Sequence, residues 1–509
     1  MKYRAPIMSC AEAAEFERRF FARGGFDERE AIRRAGRGIA EEFLREFDIG
    51  NSPRIIAIAG GGHNGADAIA AASKICGDIP GASLCVAAVP REKQRPNTAF
   101  ELDALLSGGA RIEKIFPLSE LPNVRGKFDL AIEGLVGMTF RPPARAELGA
   151  AIEAANALDA RIKISADIPA GISADAPQTP VFRADATYAA GIAKDAIFKP
   201  FNRPFAGRIR FVDIGFFDAG APDSARAVVR PSISEPLKAL RPALSDKRSY
   251  GHAFVLAGSR RYPGAALMNA KAALRGGAGL VTAFVPETFA AQFAAAEPSA
   301  IWVGCPEDEN GAIALESYGL MRPLLPRASA FLAGSGMTGS AEAAALVAQI
   351  LKDFPDLPAI LDADAISESS ASLLRSRPSP SLLTPHEGEF LRIAPDASDE
   401  SLIEASEKFG CAILLKSSAT RACERGWITY SVRGGPALSR AGSGDLLAGL
   451  CCSLAASKKF ESVSLAALCA SDWLGRASEL AARDLTETAM ATSDIAAYLP
   501  KALSRFYLA

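Results

Sequence analysis

No uncharged run in this 509-residue chain reaches the ~18 residues that a helix needs to span a bilayer. Its first residues, Met-Lys-Tyr-Arg-Ala-Pro, lead into a charged amphipathic stretch and not into an apolar core with a cleavage site, so neither export nor membrane association is expected. Paired Cys-x-x-Cys spacing is also missing: the nine cysteines stand at 10, 76, 85, 305, 411, 423, 451, 452 and 469, which excludes the common zinc and redox arrangements and fits a reducing cytoplasm. Excess charge of one sign is absent, with 57 lysines and arginines against 58 aspartates and glutamates. No basic field therefore draws the protein to nucleic acid, and small molecules are the expected partners. Histidine is scarce, at three residues.

What is present is length and apolar content. A chain this long, 49% hydrophobic and 23% charged, exceeds one core and predicts two or three units. Residues 11 to 47 set Ala14, Phe16, Phe20 and Phe21 among charges at helical spacing, which reads as surface helices. A strand at Arg54–Ala59 follows, then the turn Gly60-Gly61-Gly62-His63-Asn64-Gly65-Ala66-Asp67 and a helix from Ala68 to about Ile75. Strand-like runs at Ala82–Val89, Phe128–Ile132, Arg161–Ala166 and Arg208–Ile214 alternate with helical stretches, the pattern of a parallel sheet covered on both faces. Residues 218–240 show no sustained period and are taken as a linker between units at 1–217 and 241–509. A second αβ series begins at Ala253–Ala257, with strands near 279–285, 329–333, 358–362, 380–383 and 411–415.

Gly442-Ser443-Gly444-Asp445 before an apolar helix suits a phosphate, because glycines admit an anion to the backbone and a helix start offers unpaired N–H groups. A carboxylate there accepts the proton of an attacking hydroxyl. Taken alone, the four residues read better as a helix cap. Their company decides otherwise: Lys247–His252, Gly258-Ser259, Tyr262-Pro263-Gly264-Ala265, Ala272–Val281, Leu361–Ala365, Leu383-Thr384-Pro385-His386-Glu387-Gly388-Glu389, Leu415-Lys416 and Ala491–Ile495. In this order the set closely resembles the ADP- or ATP-dependent NAD(P)H-hydrate dehydratase family over about residues 240 to 505, which implies a ribokinase-like αβα domain.

The resemblance implies that Asp445 is the base, that the hydrate lies against Ala265, Gly336, His386 and Asp445, and that the nucleotide lies against Lys416, Ser417, Ser418, Ala419, Thr420, Gly442, Ser443 and Gly444. Mg²⁺ is implied between the nucleotide phosphates. The chain departs from the family by Ser417 where a glycine commonly follows the lysine, by Arg440 in the nucleotide loop, and by the missing proline in Ala333–Gly339. His252 reads equally well as a structural or a functional group, and Asp362 and Asp364 read as strand-end caps in preference to a metal pair.

In the first half the glycine turn is joined by Asp129–Gly137, Asp167-Ile168-Pro169-Ala170-Gly171 and a string from Lys199 through Gly207 to Gly215. This order resembles the NAD(P)H-hydrate epimerase family, which implies a Rossmann-like αβα domain over about residues 8 to 217 that interconverts the two C6 epimers of the hydrate. Carried over by motif, Asn64, Gly65, Asp67, Gly137 and Asp167 face the substrate and Asp167 is the acid/base. Asn64 matches a potassium ligand, while Glu133 replaces the family's aspartate and Ala170 its serine ligand. Ala66 and Ala68 place methyl groups where the family has glycines. Assembly into a homo-oligomer is expected. Two other readings compete: a ribokinase-like small-molecule kinase that stops at a phosphorylated product, and a first half that is an inactive binding module.

Overall fold

The run Arg54–Ala59 becomes a strand in which every residue after Arg54 is buried, as a strand covered on both faces requires. The computed structural model describes residues 2–177 and 180–504, and its contacts divide between Ser224 and Ala225. In the first unit seven parallel strands run in the order Ile112–Pro117, Ser83–Ala88, Arg54–Ala59, Phe128–Gly134, Ala160–Ala166, Ala186–Ala190, Arg208–Val212. From Arg54–Ala59 the chain winds outward through Ser83–Ala88 and Ile112–Pro117 and then returns to Phe128–Gly134 on the other side of Arg54–Ala59, so the winding reverses between those two strands. A crevice outside such carboxyl ends is where open α/β sheets bind ligands.

The following helix is His63–Asp78, five residues earlier than the start expected at Ala68. The turn closes quickly because Gly60 and Gly65 touch: a Cβ on Gly65 would stand 2.2 Å from the Gly60 carbonyl oxygen. Asn64 and Gly65 are therefore in the first helical turn, with Asp67 just beyond it, and none of the three is on a loop.

Before the sheet, Arg4–Met8 pairs in parallel with Ala193–Lys194, with Ile7 opposite Ala193 and Met8 opposite Lys194. Helix Cys10–Ala22 starts immediately after, closed by a Ser9–Glu12 capping box. It is a surface helix, as expected, with Ala13 its only fully buried residue, but its half-buried phenylalanines make long-range contacts. Phe16 lies 5.2 Å from Phe217 and Phe20 4.8 Å from Phe216 between ring centroids, and Phe26 stacks on Phe216 at 5.4 Å. The partners at 216–217 are two hundred residues away in sequence, beyond the reach of any local period.

The second unit holds ten strands in the order Ile301–Cys305, Leu280–Pro286, His252–Leu256, Ala330–Ala333, Ala359–Leu361, Ser381–Leu383, Ala412–Leu415, Thr420–Glu424, Trp427–Ser431, Arg226–Val229. All pairs are parallel except the two made by Thr420–Glu424. Arg226–Val229 lies inside the stretch expected as a linker. At four residues flanked by Ala and Pro it has no visible period, yet it pairs along Ile428–Tyr430. Among the described residues no helix is long and apolar enough to cross a membrane.

Helix Gly264–Arg275 packs on helix Ser443–Ala456, and Gly449 is the point of closest approach, where a Cβ would stand 2.3 Å from the Asn269 carbonyl oxygen. Gly449→Val should therefore overpack this contact and lower stability by roughly 1–3 kcal/mol, read as a lower denaturant midpoint at unchanged slope. An unaltered midpoint would mean that the two helices separate without cost.

Candidate sites at the carboxyl edges of the two sheets

In the second unit four successive strands end in polar residues that meet at one carboxylate. Asp362, buried after Ala359–Leu361, accepts from Ser335 Oγ at 2.8 Å, Thr384 Oγ1 at 2.8 Å and Lys416 Nζ at 2.9 Å. Each of those three residues follows its own strand. Lys416 also lies 3.7 Å from Glu389. Burial acts against the lysine's charge, but Asp362 and Glu389 more than offset it, so its pKa is raised. Asp364, by contrast, accepts the Thr338 N–H at 2.9 Å, and both aspartates are thus occupied by the protein, in keeping with a structural reading.

Gly442 has φ +88°, a left-handed turn suited to glycine, and helix Ser443–Ala456 starts from it. Asp445 lies in the first turn of this helix, and its own carbonyl is held by Asn269 Nδ2 at 2.7 Å. Its carboxyl is pushed up to about 6, first by burial and then by Asp362 and Glu389, while Lys416 pulls it down. A Cβ on Gly444 would stand 3.3 Å from Lys416 Nζ, so the lysine reaches the same helix start. A carboxyl, an ammonium and the amides of a helix start are thereby gathered at one point.

Gly336, at φ +67°, comes against Ala265: a Cβ there would be 2.9 Å from the alanine Cβ. His386 follows Ser381–Leu383 and is bridged in parallel to Lys416. It caps helix Glu387–Phe390, with Nδ1 accepting the Glu389 N–H at 3.2 Å, and its ring remains largely exposed. Ser417–Thr420 form the turn between Ala412–Leu415 and Thr420–Glu424, with Ser417 Oγ donating to the Ala419 carbonyl at 2.9 Å. Arg440 braces the glycine loop, donating to the carbonyls of Ala437 and Glu487, and Thr492 Oγ1 donates to Ala441 O at 2.7 Å.

Other quoted strings are for packing. A Cβ on Gly279 would be 1.7 Å from Lys247 O, and His252 is bonded to Thr282 Oγ1 at 2.8 Å, its pKa lowered to about 4 by burial and Arg327. A cavity of about 730 Å³ also lies at this opposite edge, lined by Ser329, Pro358 and Pro380, residues that precede strands; it is remote from Asp445.

In the first unit a cleft of about 340 Å³ opens beyond the switch point, and Asn64, Asp67, Gly137 and Asp167 all line it. Gly65 does not; it is spent on the contact with Gly60. Ala66 and Ala68 are fully buried inside the helix packing, so their methyls stay out of the cleft. Asp167 holds φ +63°, a conformation aspartate tolerates better than most residues, and its Oδ1 accepts from Lys194 Nζ at 2.6 Å and Ala190 N at 3.2 Å. Lys194 is itself buried; Asp167 more than offsets the burial and raises its pKa.

The potassium ligands fare differently. Glu133 Oε1 accepts the Leu135 N–H at 2.6 Å, and Oε2 accepts Ser165 Oγ at 2.9 Å and the Ala170 N–H at 3.3 Å. Burial pushes its carboxyl up to about 7 despite these bonds. Ala170 contributes only a buried methyl, and Asn64 Oδ1 alone of the three is left buried without a donor. Glu133 and Ala170 do not fit the ion.

Sequence reasoning missed Asp362 as a hub, Glu389, Asn269, Glu17 and Lys194. A lone lysine ending the apolar run Ala189–Ala193 was the available signal for the last.

The family described as NAD(P)H-hydrate dehydratase matches residues 253–501, and the family described as YjeF-related protein N-terminus matches residues 28–196. A bifunctional NAD(P)H-hydrate repair enzyme of Gloeobacter violaceus is 32% identical over 466 residues, covering 87% of each chain. An ADP-dependent (S)-NAD(P)H-hydrate dehydratase of Xanthomonas campestris is 31% identical over 42% of this chain and 74% of its own. A solved ADP/ATP-dependent NAD(P)H-hydrate dehydratase of Bacillus subtilis, co-crystallised with ATP and Mg²⁺, is 25% identical with a TM-score of 0.44, covering 54% of this chain and 97% of that one.

Glu389→Gln keeps the side chain's shape and removes a charge that raises Asp445. The Asp445 carboxyl should then titrate below 6, as followed by carboxyl-carbon NMR; an unmoved midpoint would disconnect the two groups.

Proposed function

This chain belongs to the bifunctional NAD(P)H-hydrate repair family, with an epimerase-type half and a dehydratase-type half, and on that premise we propose how its own residues carry the two reactions. The dehydratase reading rests on Asp445: a carboxyl raised to about 6 at a helix start, with the Lys416 ammonium alongside. The adenine nucleotide lies against 416–420 and 436–444, with ADP as donor, the nucleotide in the name of the Xanthomonas relative. The hydrate lies against Ala265, Gly336 and His386, with its C6 hydroxyl toward Asp445.

Asp445 takes the hydroxyl proton as the oxygen attacks the terminal phosphorus. The Gly442–Gly444 amides and Lys416 hold the charge that gathers on the phosphoryl oxygens. Hydroxide is a poor leaving group and phosphate a good one, so the ring nitrogen's lone pair expels phosphate to leave an N1=C6 iminium, and loss of a C5 proton to the departing phosphate or solvent restores the dihydropyridine. Mg²⁺, when bound, neutralises phosphate charge. Among the described residues no three ligating side chains cluster, so the phosphates are its main ligands in this reading.

For the first half, the cleft around Asp167 interconverts the R and S hydrates, supplying the dehydratase with the epimer it accepts. No step is routed through potassium, since both Glu133 oxygens already accept from protein donors and Ala170 lacks a hydroxyl.

Absorbance at 340 nm, followed as the protein acts on separated S and R hydrates with Mg²⁺ and ADP, then ATP, tests both halves. Recovery from both epimers is expected, with the R hydrate limited by epimerisation. Recovery from S alone would leave the first half without its reaction, and a stable phosphorylated product would make the protein a kinase. Asp445→Asn should slow dehydration by about 10²–10⁴-fold while nucleotide affinity, measured by calorimetry, changes little. In the wild type the dehydration rate should rise with pH through about 6, because the base acts only when ionised.

A further inference from the structure

The cleft of the first unit contains more acid/base capacity than Asp167 alone supplies. Glu17 lines it from helix Cys10–Ala22, an element outside the parallel sheet and outside the stretch 28–196 that the family match covers. Three features hold that helix in place. Strand Arg4–Met8 pairs with the short strand that contains Lys194, the Ser9–Glu12 box fixes the helix start, and the phenylalanine cluster anchors its far end on Phe216 and Phe217. The pairing of Met8 with Lys194 therefore brings Glu17's helix to the ion pair of Lys194 with Asp167. Asn64 Oδ1, buried without a donor, marks the same cleft as built for a polar ligand.

Epimerisation at C6 must remove the hydroxyl from one face and return one to the other. A single group on one face cannot serve both events without crossing the ring. We propose that Glu17 is a second catalytic residue of the epimerase cleft, acting on the face of C6 opposite Asp167; this rests on the epimerase reading of the first unit. The Glu17 carboxyl gives its proton to the C6 hydroxyl, the C6–O bond breaks with its electron pair leaving on water, and the N1 lone pair forms the N1=C6 bond. Water then adds to C6 from the other face and passes its proton to the Asp167 carboxylate. Both known donors to Asp167 fall on Oδ1, so Oδ2 is available for that proton. In the reverse direction the two carboxyls exchange roles, and between turnovers they recover their protons by exchange with solvent.

The electrostatics distinguish Glu17 from its neighbour Asp67. Burial pushes the Glu17 carboxyl up to about 7; Lys194 lowers it, while Asp167 and Glu28 raise it further. A group that titrates near the working pH both gives and takes a proton readily. Asp67, on helix His63–Asp78, is raised by burial first and then by Asp167 and Glu17. Lys93 and Arg95 add cationic groups to the wall.

The test uses the full chain and follows R-to-S conversion, with rates normalised to dehydration of the S hydrate to correct for folded enzyme. Glu17→Gln is expected to slow epimerisation by about 10²–10⁴-fold. Wild-type kcat/KM for the R hydrate should fall as pH rises through about 7, where the acid is lost; in Glu17→Gln that limb should be absent, and in Glu17→Asp it should persist at a displaced pH. Asp67→Asn should keep the limb. Wild-type acceleration with an undiminished Glu17→Gln rate, or an unchanged limb, would overturn the assignment alone. No acceleration by the wild type would overturn the epimerase reading and the assignment with it.

Discussion

The buried pair of Lys416 with Asp362 is the constraint on which the second unit's site depends. Desolvating two charges costs several kcal/mol each, and the cost is offset only when every lone pair and proton finds a partner. Asp362 achieves this by drawing in Ser335 and Thr384 as well, so the carboxyl ends of four neighbouring strands are tied to one carboxylate. Glu389 adds a second negative charge near Lys416, and its own segment carries His386. Asp445 then experiences both the burial and the surrounding acids, and its carboxyl is tuned by a network assembled for geometric reasons.

The first unit repeats the principle in another form. Lys194 is buried on a two-residue strand, and Asp167, in a left-handed conformation at the end of the sheet, accepts the hydrogen bond that its ammonium donates. The partner strand is the chain's own beginning, Arg4–Met8, which continues directly into the helix bearing Glu17. Sheet, short pair and aromatic cluster converge on one cleft from sequence positions some two hundred residues apart.

Much of this was legible in the sequence and some was not, for physical reasons. Strand runs such as Arg54–Ala59 and Ala253–Ala257 are apolar throughout and follow from the requirement that both faces be covered; the structure starts the second one residue early, at His252. The Gly442–Asp445 string could be read because glycines and a carboxylate at a helix start have a direct chemical meaning. Arg226–Val229 was not legible, since four residues carry no period and their identity as a strand comes from Trp427–Ser431 alongside. Asp362 read as a cap because its value lies in three partners at 335, 384 and 416. Glu17 was hidden among the charges of an amphipathic helix, where one buried carboxyl looks like any exposed one.

Glu133 and Ala170, the two residues that depart from the expected ion site, are joined by a direct hydrogen bond. The longer glutamate carries Oε2 to the Ala170 N–H and the Ser165 hydroxyl, while the alanine methyl lies in the surrounding core. Shortening Glu133 alone would strand buried donors, and adding a hydroxyl at 170 alone would crowd a carboxyl already supplied with three. Because residues 133 and 170 are in direct contact, substitutions at the two positions are expected to be non-additive in their effect on stability.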